Sequence, residues 1–235
     1  MKSQELLKAV EALPAQWHGA GSLKSDVLRR LIHYVSQLDV KHSLETGTGK
    51  STLLFSHFSS HHIVFAKDDA GDGDSLRVVG ESPILRRSAV QFVIGPTQIT
   101  LPRYEFRNTF QLALIDGPHG YPFPDLEYYF IYPHLDQDSL LIIDDINIPT
   151  VFNLFKLLSE DQMFELLEVV GTTAFFKRTT AELFDPLGDG WWLQEYNRRR
   201  FPIQDNAIHY SMIDKIKGLA PRSVKALIKK AVKLV

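Results

Sequence analysis

Hydrophobic positions along the chain first follow a helical period and then change to short continuous runs. Two segments, near residues 4–13 and 26–38, carry apolar residues three and four positions apart, which predicts two amphipathic helices. Pro14 and the stretch 19–22 separate them, because proline and glycine interrupt helices. From residue 42 onward, short apolar runs bounded by Gly, Pro and Asp alternate with helical segments. This alternation predicts an α/β domain.

Seven of these runs have the length and composition of strands. They lie near residues 42–46, 62–66, 90–95, 111–116, 139–144, 163–170 and 173–178. The first five are separated by connections long enough to cross over, so we expect them to be parallel. Only Gly171 and Thr172 separate the last two, which suits a hairpin, so the seventh strand should run antiparallel to the sixth. The fold class predicted is therefore a Rossmann-like, mostly parallel seven-stranded sheet with an antiparallel last strand and helices on both faces.

The expected organisation has three parts within one compact domain. Residues 1–40 form an N-terminal helical addition, residues 41–180 form the ligand-binding core, and residues 181–235 form a C-terminal extension. A helix opened by Pro221 ends that extension, with apolar residues on one face and lysines around the other. Residues 206–235 contain seven basic residues and one acidic residue. A docked helix with solvated lysines accounts for this charge, and weak contact with an anionic membrane surface or an acidic partner is the alternative.

The turn after the first strand reads Glu-Thr-Gly-Thr-Gly-Lys-Ser from Glu45, a pattern that two ligand classes could use. A phosphate-binding loop would need glycine at the position of Leu44. It would also place Glu45 inside an anion cradle, where two negative charges about 4 Å apart repel by roughly 4 kcal/mol. S-adenosylmethionine (SAM) carries a sulfonium and an ammonium group, which suit an acid followed by Gly-x-Gly. A P-loop NTPase using Lys50 with Asp144 and Asp145 stays open as an alternative.

A second acid supports a nucleoside ligand. Asp68 follows the hydrophobic run 63–66 and stands 23 residues after Glu45, near the spacing at which a carboxylate meets a ribose diol. The alternative is that Asp68 only opens the polar loop 68–74. Because Asp68 would serve NAD and SAM equally, it does not choose between them.

Composition limits the class of protein. The 235 residues are 44% hydrophobic, enough for one substantial core, and the formal net charge of −2 argues against a surface built for nucleic acid. Cysteine is absent, which excludes disulfides and cysteine metal sites and is compatible with a reducing cytoplasm. No membrane-spanning run is present, and Glu5 and Glu11 stand where a signal peptide would be apolar. We therefore expect a cytoplasmic protein without a nucleic-acid partner.

Four segments of the chain resemble motifs of the class I SAM-dependent methyltransferases. They are Leu44–Gly49, Ile63–Asp68, Leu112–Tyr121 and Leu140–Asp145. Within that class, residues 25–180 resemble the small-molecule and sugar O-methyltransferases of the catechol and macrolide-sugar types. The chain departs from the family at Ser51, where a third glycine is often seen, and at Gln137 and Asp138, where a Gly-Gly turn is usual.

The resemblance implies a cofactor, a metal and a set of site residues. SAM would bind at the carboxyl ends of the strands, where ligands of open α/β sheets lie. Its expected contacts are Glu45, Thr46, Gly47, Thr48, Gly49, Asp68, Gly95 and Asp116. By analogy with the family, Asp116, Asp144 and Asp145 would hold Mg²⁺, a second candidate cofactor that also offsets their mutual repulsion.

Two catalytic residues follow from the same turn. His119 lies three residues after Asp116 and titrates near neutral pH, which suits a general base beside a substrate hydroxyl. A solvated loop histidine is the alternative. The function expected is therefore O-methylation of a small molecule or saccharide, with a non-catalytic SAM-binding module as a further alternative to the NTPase. The N-terminal helices could pack on the core, cover the cofactor or form a homodimer contact.

Overall fold

Both N-terminal helices are present in the computed structural model, which describes residues 3–14, 22–68 and 75–200. Helix α1 spans Ser3–Glu11 and α2 spans Ser25–Val35, close to the predicted segments. The remaining helices are α3 Lys50–Phe58, α4 Ser75–Gly80, α5 Thr97–Thr100, α6 Phe123–Ile131, α7 Pro149–Glu160 and α8 Glu195–Arg200. Short 3₁₀ turns lie at Arg87–Ala89, Leu101–Arg103, Tyr132–His134 and Trp191–Leu193.

Seven strands form one sheet, as the hydrophobic pattern predicted. They are β1 His42–Thr46, β2 His61–Ala66, β3 Val90–Ile94, β4 Phe110–Ile115, β5 Leu135–Ile143, β6 Phe164–Val170 and β7 Thr173–Arg178. Their order is β3-β2-β1-β4-β5-β7-β6. Strand β7 is antiparallel to both of its neighbours, and the other pairs are parallel. The predicted Rossmann-like fold with a reversed last strand is confirmed.

Helices cover both faces of the sheet, which explains why β4 and β5 contain continuous apolar runs. Leu112 and Leu114 of β4 belong to a core with α1, α2, α3 and α4. Ala113 and Ile115, on the opposite face, belong to a core with α6 and α7. All four are at most 3% exposed, and burying a leucine stabilises the fold by about 1.5–3 kcal/mol. The two helices before β1 are therefore part of one core layer.

Strand order reverses between β1 and β4, and this reversal positions the site. The chain runs outward through β2 and β3 on one side of β1 and through β4 and β5 on the other. The loops that leave β1 and β4 therefore diverge, and a crevice opens beyond the carboxyl ends of these two strands.

Asp138, at a position where the family usually has glycine, adopts a backbone conformation that glycine prefers. Asp138 has a φ of 64°, in the left-handed region that glycine prefers. Aspartate tolerates this region better than most residues. Its carboxylate also lies 2.7 Å from the ammonium of Lys177 on β7. Aspartate at this position thus retains the turn.

The chain divides into two compact units, residues 1–188 and 189–235. The described part of the second unit holds the turn at Trp191–Leu193 and helix α8. The basic helix predicted from Pro221, and with it the membrane or acidic-partner contact, lies outside the described residues. Among the helices of the described part, none is long and apolar enough to cross a membrane. The part boundaries predicted at residues 40 and 180 stay predictions.

Candidate functional site

The turn after β1 passes directly against the turn after β4. Gly47 has a φ of 87°, and a Cβ atom there would lie 2.4 Å from the carbonyl oxygen of Asp116. Any side chain would therefore clash with backbone, so glycine is required for close approach as well as for conformation. Two residues later, the N–H of Gly49 donates to the hydroxyl of Thr52 at 3.0 Å and starts α3. The predicted cofactor turn thus forms one wall of the crevice.

Glu45 is placed deeper than its predicted role suggests. The residue is completely buried at the end of β1. Its Oε1 accepts from the hydroxyl of Thr52 and lies 3.2 Å from Nε2 of His62. Its Oε2 is buried without a hydrogen-bond partner among the described residues. A direct contact between Glu45 and the cofactor therefore stays a prediction that depends on this second oxygen.

The other residues predicted to bind the cofactor lie at the same edge of the sheet. Thr46 ends β1, and Thr48 follows it with its hydroxyl 3.2 Å from that of Thr52. Asp68 lies exposed just beyond β2. Gly95 follows β3 and donates its N–H to the carbonyl of Ala66 at 2.9 Å. The parallel strands thus bring these residues to one edge, as the sequence indicated.

An acidic cluster with one histidine stands on the β4 side of the crevice. Asp116 follows β4 and Asp145 follows β5, while His119 lies in the loop before α6. Nε2 of His119 is 3.7 Å from Oδ1 of Asp116 and 3.3 Å from Oδ2 of Asp145. One donor atom from each residue lies within 4.8 Å of the other two. Asp145 has a φ of 56°, a sparsely populated conformation for a non-glycine residue and one typical of functional sites.

Asp144 is not part of the close cluster. Its Oδ1 accepts a hydrogen bond of 2.5 Å from the hydroxyl of Thr173 at the start of β7. Among the described residues, the close donor set is therefore Asp116, His119 and Asp145, in place of the three carboxylates expected from the sequence. A metal-binding role for Asp144 stays a prediction.

Crowding of the acids changes their proton affinity. Burial raises the pKa of Asp116 to about 7, the nearby imidazole of His119 opposes the rise, and the charges of Asp144 and Asp145 add to it. Burial likewise raises the pKa of Asp144. The neighbouring carboxylate of Asp116 raises the pKa of His119, although partial burial opposes this. The cluster therefore holds protons tightly and would gain from a bound cation.

A hydrogen bond to the backbone of His119 holds the loop that carries this residue. The hydroxyl of Thr150, in the first turn of α7, donates to the carbonyl oxygen of His119. The imidazole is 37% exposed, yet its Nε2 atom is buried and has no hydrogen-bond partner of good geometry among the described residues. The ring is thus held next to two carboxylates with one nitrogen available for a proton or a ligand.

A divalent cation fits this donor set. Carboxylate oxygens suit Mg²⁺, and the addition of an imidazole nitrogen extends the fit to Mn²⁺ and related ions. The unpartnered Nε2 of His119 and the raised pKa of Asp116 are the features that a cation would relieve. The residues present therefore match the metal that the resemblance implied.

One buried acid near the site was missed by sequence reasoning. Glu127 on α6 is completely buried and accepts from the hydroxyl of Thr46 at 2.7 Å. Burial raises its pKa to about 7, while the hydrogen bond with Thr46 lowers it. The sequence does contain a signal, because Glu127 lies on the helix face of Pro124, Tyr128 and Ile131, which is otherwise buried and without charge.

Comparison with known proteins identifies this domain. Residues 44–146 match the family model described as methyltransferase domain, a span that holds the cofactor turn and the acidic cluster. Residues 44–146, somewhat less than half of the chain, thus resemble a methyltransferase domain. No curated protein matches the chain.

Solved methyltransferases share the fold of this domain. A candidate O-methyltransferase from Klebsiella pneumoniae has a TM-score of 0.60 at 16% identity over 74% of this chain and 90% of its own. The O-methyltransferase from Bacillus cereus in complex with S-adenosylhomocysteine (SAH) gives 0.54 at 14% identity over 75% and 90%. TomG from Streptomyces achromogenes, in complex with SAM, gives 0.53 at 14% identity over 74% and 90%. At these identities the likeness shows the fold.

The surroundings of Lys50 bear on the P-loop alternative. Lys50, the residue that would hold phosphate, is only 7% exposed. Its ammonium donates to the carbonyl oxygen of Leu13 at 2.9 Å, just beyond α1. This lysine therefore connects the N-terminal helix to α3 and has its charge engaged by the backbone.

Proposed function

We propose that the protein is a SAM-dependent O-methyltransferase that acts on a hydroxyl group of a small molecule or saccharide. The observation that supports this most is the placement of His119 between two carboxylates beside the cofactor turn. A general base next to a bound methyl donor is what O-methylation needs, because a neutral hydroxyl is a weak nucleophile.

The proposed reaction is an in-line displacement. The imidazole of His119 takes the hydroxyl proton, and the oxygen forms a bond to the methyl carbon of SAM. The bond between that carbon and sulfur breaks, its electron pair stays on sulfur, and SAH is released. Asp116 orients the imidazole and stabilises the imidazolium that forms, consistent with the raised pKa of His119. Holding both reactants in line removes most of the entropic barrier.

A divalent cation is proposed as a second cofactor, held by Asp116 and Asp145 with Asp144 as a further predicted ligand. When bound, it would lower the pKa of the acceptor hydroxyl and orient its oxygen. The charges of the acids otherwise repel each other, so the cation would also stabilise the folded site.

The acceptor class is inferred from the surroundings of His119. Tyr121 is 78% exposed and Phe152 is 43% exposed, and both lie near the ends of the elements that carry the cluster. Exposed aromatic rings provide flat apolar surfaces on which a ring-shaped acceptor can stack. TomG is an O-methyltransferase of tomaymycin synthesis, which supports a small-molecule acceptor.

Two measurements test the function. Calorimetry should show binding of SAH and SAM to the full chain and no binding of ATP. Release of labelled methyl groups from SAM should then be followed across a panel of catechols, sugars and glycosylated small molecules, with Mg²⁺, with Mn²⁺ and with EDTA. Binding of ATP without SAM would overturn the proposal, and SAM binding without transfer to any acceptor would favour a non-catalytic module.

A further inference from the structure

Glu127 occupies the point where the two walls of the crevice meet. Glu127 lies on α6, and its carboxylate lies beneath the turns that follow β1 and β4. The residue is completely buried, and its partners belong to those two turns. Burying a carboxylate costs several kcal/mol unless it is well partnered, so its presence here needs a cause.

A chain of hydrogen bonds joins the two turns through Thr46. The N–H of Asp116 donates to the hydroxyl oxygen of Thr46 at 3.0 Å. The same hydroxyl donates to Oε2 of Glu127 at 2.7 Å. Because a hydroxyl has one proton to donate, Glu127 fixes its direction and leaves a lone pair for the N–H of Asp116. The carboxylate thus sets the geometry of a bond between the cofactor turn and the acidic cluster.

Gly117 shows how tightly the carboxylate is enclosed. A Cβ atom at Gly117 would lie 2.0 Å from Oε1 of Glu127 and 2.6 Å from its Oε2. Glycine at this position is therefore explained by the acid that lies against its backbone. On the opposite side, Gly47 allows the carbonyl of Asp116 to approach the cofactor turn. Gly47, Gly117 and Glu127 together allow the two walls of the crevice to pack closely against each other.

The second oxygen of the carboxylate is less well engaged than the first. The hydroxyl of Thr97 on α5 and the backbone of Gly117 lie near the carboxylate and lower its pKa. Oε1 nevertheless has no hydrogen bond of good geometry to the described residues. The hydrogen bond from Thr46 is therefore the best-formed contact of Glu127.

We propose that Glu127 is a positioning residue that holds the methyl-donor turn at Thr46 and Gly47 in register with the acceptor turn at Asp116 and Gly117. This inference rests on the proposed function, because register between the turns matters where a donor and an acceptor must meet. Glu127 acts through Thr46 and the backbone of Gly117, whereas His119 and Asp116 act on the reactants.

Calorimetry with SAH on the full-length protein tests this role. Glu127→Gln keeps an oxygen that can accept from Thr46, so its affinity should stay within threefold of wild type. Glu127→Ala removes the acceptor and should weaken SAH at least tenfold at a temperature where circular dichroism shows it folded. Thr46→Val removes the bridging hydroxyl at constant shape and should weaken SAH similarly. The matched control is Glu105→Ala, since Glu105 is 81% exposed, and it should bind as wild type does.

A merely structural role would give a different pattern. In that case Glu127→Ala and Thr46→Val would lower the melting temperature but bind SAH within twofold of wild type while folded, and the inference would be overturned. Should Glu127→Ala fail to fold, Thr46→Val alone decides. If the wild type itself binds neither SAH nor SAM, the proposed function has failed instead, so the two failures are distinguishable.

A double variant tests the contact with Gly117 directly. Gly117→Ala introduces a Cβ against the carboxylate and should weaken SAH binding. Combining it with Glu127→Ala removes the clash, so the combined loss should be clearly smaller than the product of the two single losses. A combined loss equal to that product would contradict the coupling.

Discussion

Two acid–histidine pairs at neighbouring strand ends have opposite settings. Glu45 and His62 lie between the sheet and α3, with side chains 1% and 0% exposed. Asp116 and His119 lie at the crevice, with side chains 28% and 37% exposed. Both pairs combine a carboxylate with an imidazole, the first within the sheet and the second beyond the carboxyl end of β4. The difference teaches that accessibility, and not residue type, separates a scaffold pair from a reactive one.

The partners of the two histidines extend this contrast. Nδ1 of His62 lies 2.8 Å from the hydroxyl of Ser43, which in turn lies 2.5 Å from that of Ser59. Both ring nitrogens of His62 are therefore engaged. Nε2 of His119 is buried without a hydrogen bond among the described residues. An engaged ring stabilises structure, whereas an unengaged one can take up a proton or a ligand.

The largest expected effect is a loss of activity, which should follow from changing the Asp116 and His119 pair. Replacing His119 by alanine should lower kcat about 1,000-fold, equivalent to roughly 4 kcal/mol, because the hydroxyl loses its base. The melting temperature should change by no more than about 2 °C, since the ring is partly exposed. Steady-state kinetics with saturating SAM measures the loss. The exposed His33 provides the control, and His33→Ala should retain wild-type kcat; full activity in His119→Ala would refute the assignment.

The next effect is a loss of stability, which should follow from changing the Glu45 and His62 pair. Glu45→Ala should lower the free energy of unfolding by about 3 kcal/mol, because it leaves His62 and Thr52 buried without their shared acceptor. Urea titration followed by circular dichroism measures this change. Glu105→Ala, at an exposed position, should cost less than about 0.5 kcal/mol. Equal midpoints for the two variants would show that the buried network contributes nothing.

Cation binding should stabilise the folded protein through the site of Asp116 and His119, and not through Glu45 and His62. Mn²⁺ at about 100 times its dissociation constant should raise the free energy of unfolding of the wild type by about 2.7 kcal/mol. Asp145→Asn should lose most of this gain, because it removes one carboxylate of the donor set, whereas Glu105→Gln should keep it. Thermal melts with Mn²⁺, Mg²⁺ and EDTA provide the measurement. Equal stabilisation of Asp145→Asn and wild type would place the cation elsewhere.

Asp116 should make the free energy of unfolding depend on pH with the opposite sign to that of a stabilising carboxylate. The pKa of Asp116 rises from 3.8 to about 7 on folding, so the folded state binds its proton more tightly than the unfolded state. Stability from this group is complete below the unfolded pKa and falls as pH rises through the folded pKa. In EDTA at about pH 8, Asp116→Asn should therefore be more stable than wild type by about 1 kcal/mol, after solvent screening of a partly exposed group.

Paired urea titrations of Asp116→Asn and the wild type at about pH 4 and pH 8 check this prediction. The difference between the two proteins should nearly vanish at the lower pH, because Asp116 is then largely protonated in the folded protein. A constant difference across pH would show that the substitution acts through packing.

The smallest expected effect concerns the ammonium group of Lys50, which lies near the buried pair of Glu45 and His62. Lys50→Met should cost about 1 kcal/mol, because it removes the hydrogen bond to the carbonyl of Leu13 but keeps the apolar stem. SAH affinity should stay within twofold of wild type, and calorimetry should detect no ATP binding to either protein. Loss of ATP binding on this substitution would restore the NTPase interpretation.

The fold was largely predictable because its signals are local. The runs around Leu112 and Leu140 are apolar at every position, which indicates strands covered on both faces. The separation of Val170 and Thr173 by two residues indicated the antiparallel hairpin. The first strand ends at Thr46 as predicted, and the fourth ends at Ile115, one residue before its predicted end, so the acids at these strand ends were expected at the right edge.

Side-chain direction was less predictable. Nothing local distinguishes Asp144 from Asp145, yet one accepts from Thr173 on β7 and the other faces His119. Glu45 was expected to face a ligand; its Oε1 engages Thr52 and His62, and a ligand contact through Oε2 stays a prediction. These choices depend on partners that are distant along the chain and become neighbours only in the folded sheet.

The sequence by itself therefore determined where the strands lie along the chain, the reversed last strand and the set of residues at the carboxyl edge, since period and loop length act over a few residues. Only the tertiary structure decided which acids are enclosed and which remain open. It also showed Glu127 joining the two turns and Gly117 lying against it. The physical reason is that burial and hydrogen bonding depend on three-dimensional neighbours, and hydrophobic patterning sets only which face a residue takes.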